Sequence, residues 1–497
     1  MDRAGSSMMA PDTAVADTGE GSRARRRRRS GARHVVEICF ICLYFALVLV
    51  AAIPMGANRD WAWAPIVSLL GGLAVWHALG LGISDGHVLR AAEMRPLMAL
   101  VCCFLVVLGV GVVQLSPLVP PSWPSGLYAR ASEVLGHPVA AIVSVNADAT
   151  RAILMKVAAC GIVFFIARAV GRDAHRVRLF LLLFLASAVV VTAYGLLMQA
   201  TNGSCYVFSY SKRPDLAPPG HQYICALSGT FVNSNSYAAY AGMALVVALG
   251  LTFSRSSASS ERVEADLLQS GLSAWFTGAR VIYLAMALLL FGGLLMSGSR
   301  GGLGATVLGA LLLAGLLLRG RPPSRPVAAW TLVAAILIGA VFAVIAGSAF
   351  FTKIAKAPEY DLLGRFRLWQ LAVSAIAQSP WLGWGLGSFP DVYAMMQPPD
   401  LQVGNDKAHS TPLEWIMDLG IPAALFAFAT VLIPLGVCLS GCWRRRTDRY
   451  LPAVAFAATM VPILHSIIDF SLQMPSIGFV VSALLGMGWA QAFRRYE

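Results

Sequence analysis

Three arginines and a histidine in this 497-residue chain stand in sequence surroundings that suit anion binding and proton transfer. Arg300 lies in Ser-Gly-Ser-Arg-Gly-Gly, residues 297–302, between two strongly apolar stretches. A charge at membrane depth costs about 2.5–3.5 kcal/mol on insertion scales, so function is the default expectation for it. Gly301, Gly302 and Gly304 admit close approach of a ligand or backbone, and a helix starting here would add N–H groups that favour an anion. Snorkelling of Arg300 into the headgroup layer explains it equally well. Arg365 and Arg367 belong to Gly-Arg-Phe-Arg-Leu-Trp-Gln. Arg365 shares a helix face with Trp369, which leaves open both a cation–π contact and bidentate binding of a phosphate.

His409 precedes Thr411-Pro412-Leu413-Glu414, a capping-box pattern with proline at the first helical position. The positive end of that helix dipole disfavours imidazolium, so the ring is expected to be neutral and able to take a proton. A solvated loop histidine is the alternative. Two further polar patterns flank apolar stretches: Gly-Thr-Phe-Val-Asn-Ser-Asn, with Asn233 and Asn235, and His-Ser-Ile-Ile-Asp-Phe-Ser-Leu-Gln-Met-Pro, with His465 and Asp469. Capping and interhelical hydrogen bonding are the commoner uses of such residues. No paired His/Cys spacing, DxD or HExxH suggests a metal site.

The elements that must position these residues follow from composition. Hydrophobic residues make up 57% and charged residues 13%, with a net charge of +13. That excludes an ordinary soluble protein, which is about 25% charged. The expected fold is all-α and polytopic, with about twelve spans near 36–54, 61–83, 97–117, 152–168, 179–200, 231–253, 281–298, 302–318, 327–351, 412–440, 450–467 and 477–493. The arginine run before residue 34 places the N-terminus in the cytoplasm by the positive-inside rule, and an even count returns the C-terminus there. Alternate connections then hold 26 and 11 of the 38 Lys and Arg residues, the cytoplasmic ones being richer, and Lys156 falls inside the fourth span. On this topology Asn233, Arg300, Arg365, His409 and Asp469 all gather at the outer face.

The organisation expected is a disordered basic tail over 1–34, five spans and an outer loop over 35–228, a core over 229–476, and a last span with a cytoplasmic end over 477–497. Between the ninth and tenth spans runs an outer connection, 352–410, long enough to be functional. Within it Trp369, Ala372, Val373 and Ile376 predict an amphipathic helix over about 361–378 on the membrane surface, stopped by Pro380. Trp381 to Phe389 reads as a glycine-rich turn or as a tryptophan interfacial anchor. Cys205 and Cys225 share one polar loop, where a disulfide is possible in an oxidising compartment. The +13 could denote nucleic acid, but no zinc-finger or RNP-like stretch accompanies it.

At these residues the chain resembles the O-antigen ligase and polymerase superfamily of polytopic GT-C-type glycosyltransferases. The likeness runs over roughly 229–476, through Gly-Thr-Phe-Val-Asn-Ser-Asn, Ser-Gly-Ser-Arg-Gly-Gly, Gly364-Arg365 to Trp369, the 379–389 segment, and Ala-His-Ser-Thr-Pro-Leu-Glu-Trp. Each motif alone is weak, and their order and spacing are specific. The resemblance implies a glycan donor on a polyprenyl diphosphate and an acceptor hydroxyl on a glycan, lipid or protein. It implies transfer with inversion and without a metal or cofactor, at the periplasmic face of the bacterial inner membrane. By the same resemblance Arg300 and Arg365 look like the arginines that engage the diphosphate, with Arg367 adding to that site, and His409 looks like the histidine that assists the acceptor. Family members often carry Asn after that histidine, where this chain has Ser410. A polymerase of lipid-linked repeats fits the same residues as a ligase, and a transporter or flippase of lipid-linked glycan is the reading from another class.

Overall fold

The computed structural model describes residues 19–80, 82–83, 91–202, 206–207, 210–211, 226–253, 278–319, 358–397, 405–445 and 448–493. Among these the fold is all-helical apart from a two-residue antiparallel pairing of Tyr206–Val207 with Tyr210–Ser211. The helices are α1 (Gly19–Val50), α2 (Asp60–Ala78), α3 (Ala91–Gln114), α4 (Leu127–Leu135), α5 (Ala147–Val170), α6 (Ala174–Asn202) and α7 (Ser234–Thr252). They continue as α8 (Ala279–Met296), α9 (Arg300–Leu318), α10 (Pro358–Gln378), α11 (Phe389–Met396), α12 (Thr411–Arg444), α13 (Tyr450–His465) and α14 (Pro475–Ala492).

Ten of these are long and apolar enough to cross a membrane, and α13 is a shorter apolar helix. Together they coincide with eleven of the twelve expected spans; the twelfth, near 327–351, lies outside the described residues, as do Cys205 and Cys225. The arginine-rich stretch from Gly19 to residue 34, expected to be without structure, continues α1 instead. Arginine and alanine are good helix formers, and an anchored span removes the cost of nucleating them.

Burial sorts the helices into two groups. α7 and α14 are apolar on every side and about nine-tenths buried, so they form the centre of the bundle, with α13 beside them. The remaining spans keep much of their apolar surface outward, towards where lipid would lie. α14 packs on α5, α7 on α8 and α9, and α3 on α12. Small residues allow this: a Cβ at Gly486 of α14 would run into Phe164 O on α5.

The end of the bundle away from Asn233, His409 and Asp469 is tied by part-buried ion pairs. Arg168 donates to Glu93 at 2.6 Å, and the same carboxylate takes the Trp489 indole N–H at 3.0 Å. Arg176 bonds Glu37 and Arg178 bonds Asp448, each at 2.7 Å. Each pair joins segments far apart in sequence.

α12 is two helices in sequence. Gly420 breaks it with φ 76° and ψ 162°, and the 379–387 segment lies against the break. There Ile421 N–H donates to Pro380 O, Trp384 N–H to Met417 O, and Gly385 N–H to Asp418 O. Gln114 at the end of α3 donates to both Leu382 O and Asp418 O at 2.8 Å and accepts from Leu386 N–H at 3.2 Å. A break at membrane depth is tolerable only when its freed backbone groups find partners. The glycine-rich segment is therefore a splint for α12. Trp381 is exposed, as an interfacial anchor would be, but Trp384 turns inward and donates its indole N–H to Ala375 O at 2.9 Å.

Candidate functional site

α10 spans Pro358–Gln378, enclosing the expected helix. Its buried stripe is Leu368, Leu371, Ala372 and Ala375, while Val373, expected on that stripe, is exposed. The shift follows from docking: the buried residues cover Phe389 and Tyr393 of α11 and Met417 of α12, so α10 packs on protein along this stripe. This places Arg365 beside the turn that follows α13. Arg365 Nη1 donates to Ile468 O at 2.7 Å, and Nη2 stands 3.7 Å from Asp469 Oδ2. Arg367 is exposed and, two residues on, lies about 200° further round the helix, away from Asp469.

Asp469 is the hub of the cluster. It is 0% exposed, and its Oδ2 accepts from Asn235 Nδ2 at 2.6 Å while Oδ1 accepts from its neighbour Phe470 N–H at 2.8 Å. Oδ1 also faces His409 Nδ1 at 3.5 Å. Burial pushes the carboxyl's pKa up, but His409, His465 and the Phe470 N–H outweigh it and hold Asp469 below the usual carboxylate range. The group is therefore an anion at neutral pH.

His409 is held by a strained backbone, φ +50°, in the left-handed region. Such a conformation in a non-glycine residue costs about 1–3 kcal/mol and is concentrated at functional sites. Its carbonyl takes the Trp369 indole N–H at 3.3 Å, and its ring meets the edge of Phe470 at 5.2 Å between centroids. The 3.5 Å separation of Nδ1 and Asp469 exceeds a formed hydrogen bond, and catalytic contacts commonly tighten only when substrate is bound. Nδ1 facing the carboxylate leaves Nε2 for a substrate. The dipole of α12 therefore does not act alone on the ring: a buried carboxylate stands ready to stabilise an imidazolium once formed.

The capping box expected at Thr411 is replaced by another arrangement. Ser410 is the N-cap residue and makes no side-chain capping bond. Thr411 N–H goes to Ser466 O and Asp469 O, and its hydroxyl to Asp469 O. Glu414, which a capping box would turn back to the cap, takes Lys407 Nζ at 2.7 Å and Ala408 N–H at 3.2 Å. The turn after α13 has taken Thr411's polar groups, so the same residues pin His409's loop from both ends. Burial would lower the Lys407 pKa, but Glu414 beside it raises it, so Lys407 stays a cation.

Asn233 caps α7, its side chain accepting Asn235 N–H at 2.7 Å, and so aims Asn235 at Asp469. His465, buried, pairs its Nδ1 with Ser471 Oγ at 3.0 Å, which shapes the turn without reaching the open side of the cluster. Arg300 opens α9, capped by Ser299, and its side chain is exposed. A Cβ on its neighbour Gly301 would sit 2.9 Å from Ile468 Cδ1 and 3.0 Å from His465 Cδ2, so the start of α9 abuts the turn that Arg365 grips. The structure thus brings Asn235, Arg365, His409 and Asp469 together, sets Arg300 at their edge, and leaves Arg367 apart. Trp369, Thr411 and Phe470, which hold the cluster, were not singled out for that role by sequence; only the helical spacing of Trp369 from Arg365 hinted at it.

Residues 285–428 match the sequence model of a family described as O-antigen ligase. The matched stretch, under a third of the chain, carries Arg300, Arg365, Arg367 and His409 and supports a likeness to the O-antigen ligase and polymerase superfamily, in a chain whose ten long apolar helices suit a multi-pass membrane protein. Asn235 and Asp469 lie outside that stretch. No curated protein matches the chain.

Proposed function

We propose, from that match, that the protein moves a glycan from a polyprenyl-diphosphate donor to an acceptor hydroxyl, inverting the anomeric carbon, with the site facing the periplasm. The observation that carries the reading is the convergence of Asn235, Arg365 and His409, from three distant segments, onto the buried Asp469 carboxylate. His409 Nε2 takes the acceptor hydroxyl proton as the oxygen attacks the anomeric carbon. The bond from that carbon to the diphosphate breaks, and the charge gathering on the leaving group meets Arg365 and Arg300. Fixed cations act most strongly where charge develops in the transition state, so no metal is called on. Asp469 faces the imidazolium and holds Arg365. Whether the acceptor is a finished lipid or protein anchor or a second lipid-linked repeat, the same atoms serve.

The test is a reconstituted assay with purified lipid-linked donor and an acceptor, scoring glycan transfer and lipid translocation separately. Transfer by the wild type that is abolished in Arg365→Ala and His409→Ala, with membrane insertion intact, is the expected result. Full activity of His409→Ala sinks the proton-transfer role. Translocation without transfer favours the transporter, whose broken helices α12 shares.

A further inference from the structure

A second polar cluster lies beyond His409's loop, at the end of a cavity of about 210 Å³ between α3, α5, α12 and α14. Its walls are hydrocarbon and aromatic: Phe104, Val157, Phe164, Trp415, Val431 and Val481 are among them. A dry apolar cavity of about 150 Å³ takes a benzene ring, so this space takes a short segment of hydrocarbon chain. The charged residues, Lys156, Lys407, Glu414 and Asp418, stand with Gln473 at the end nearest the candidate site, and Thr430 and Ser482 add hydroxyls further along the walls.

The charges at that end do not all cancel within the protein. Lys407 is engaged by Glu414 at 2.7 Å and Gln473 at 2.6 Å, and the second Glu414 oxygen takes Ala408 N–H. That pair is closed. Asp418 is 4% exposed, and its Oδ2 accepts Gly387 N–H at 2.8 Å, but Oδ1 has no hydrogen-bond partner among the described residues. Lys156 sits within α5 with its Nζ 4.7 Å from the Trp63 ring centroid. A helical side chain leans towards its own N-terminus, which for α5 is the end carrying the polar cluster. The cavity thus offers a ligand one cation, Lys156, which also feels the more distant Asp60 of α2, and one carboxylate oxygen without a hydrogen-bond partner among the described residues, on Asp418, above an apolar slot.

We infer that this cavity is a lipid site for an aminophospholipid such as phosphatidylethanolamine, one acyl chain entering the slot, the phosphate at Lys156 and the ammonium at Asp418 Oδ1. A solely anionic lipid would satisfy Lys156 and set its charge against two carboxylates. A zwitterion answers both leftover groups, and its headgroup lies at the level where the polar residues are. The site is distinct from the Arg365, His409 and Asp469 cluster, and its occupancy does not depend on which reaction that cluster performs.

The experiment is native mass spectrometry of the full-length, delipidated protein titrated with phosphatidylethanolamine or phosphatidylglycerol of identical chains. Phosphatidylethanolamine is expected to fill a first site at least ten-fold more tightly than phosphatidylglycerol. Asp418→Asn and Lys156→Met, on different helices, are each expected to erase that preference, and Val431→Trp to weaken binding of the chain itself ten-fold. Thermal unfolding of each variant identifies any that fails to fold, and the remaining ones decide. Equal or tighter binding of phosphatidylglycerol overturns the inference, as does an unchanged preference in folded Asp418→Asn or Lys156→Met. Displacement of the bound lipid by polyprenyl phosphate at equimolar amounts also overturns it, because it would assign the slot to the prenyl chain.

Discussion

Replacing Asp469 with asparagine removes its charge and keeps its size; the single remaining oxygen can accept from the Asn235 amide, at the cost of the bond from Phe470 N–H. The larger loss is the anion 3.5 Å from His409 Nδ1 and 3.7 Å from Arg365 Nη2. Two unit charges about 4 Å apart interact by about 4 kcal/mol at an effective dielectric near 20. His409 and Arg365 are 24% and 17% exposed, so screening reduces this, and about 3 kcal/mol is a fair figure for the imidazolium formed during proton transfer. At 1.36 kcal/mol per tenfold, the turnover number should fall about 10²-fold. The assay is single-substrate-saturated glycan transfer by reconstituted Asp469→Asn, with thermal unfolding measured alongside. A folded variant whose turnover stays within about threefold of wild type refutes the hub argument. A loss confined to donor affinity would leave Asp469 serving Arg365 alone.

The pH dependence of stability is a separate check. Asp469's carboxyl is depressed in the folded state, so its stabilisation is present above the unfolded aspartate value of about 3.9 and is lost as pH falls through the lower folded value. The melting-temperature gap between wild type and Asp469→Asn should hold steady from neutrality to about pH 5 and shrink below about pH 4. Lys407 behaves in the opposite sense: raised in the folded state, its contribution is present below about 10.4 and lost as pH rises beyond the folded value. Lys407→Met leaves Glu414, 1% exposed, without its cation and should cost about 3–5 kcal/mol in chemical unfolding at neutral pH. Gln114→Leu strands the Leu382 carbonyl and the Leu386 N–H at the α12 break, each worth about 1–3 kcal/mol, while Asp418 O keeps its bond from Gly385 N–H, and should lower the midpoint of thermal unfolding without touching the Asp469 cluster. Gly420→Ala meets both a positive φ and the Trp381 carbonyl, so fluorescence-detected size exclusion should show little monodisperse protein.

Hydropathy made the spans legible because a bilayer imposes length and composition on each helix independently of its neighbours. Arg365, His409, Asn235 and Asp469 were legible for the same reason: polar residues beside apolar runs are few enough to stand out. The break in α12 was not. Gly420 precedes Ile421 and Pro422 inside an otherwise continuous apolar run, and nothing local distinguishes a helix that will be splinted from one that is straight. Gln114 was equally silent, since a glutamine ending a span reads as an interfacial residue until the 379–387 segment is seen against it. Glu414 satisfied a local capping pattern and was claimed by Lys407, because a buried carboxylate gains more from a cation than from a backbone N–H.

The ion pairs at the far end of the bundle differ in when the chain can close them. Glu93 and Glu37 precede their partners Arg168 and Arg176, so those two pairs join segments that are all made early. Arg178 waits for Asp448, which is made only after most of the chain. Its salt bridge is thus a clasp between α6 and the segment before α13 that only a nearly complete chain can fasten.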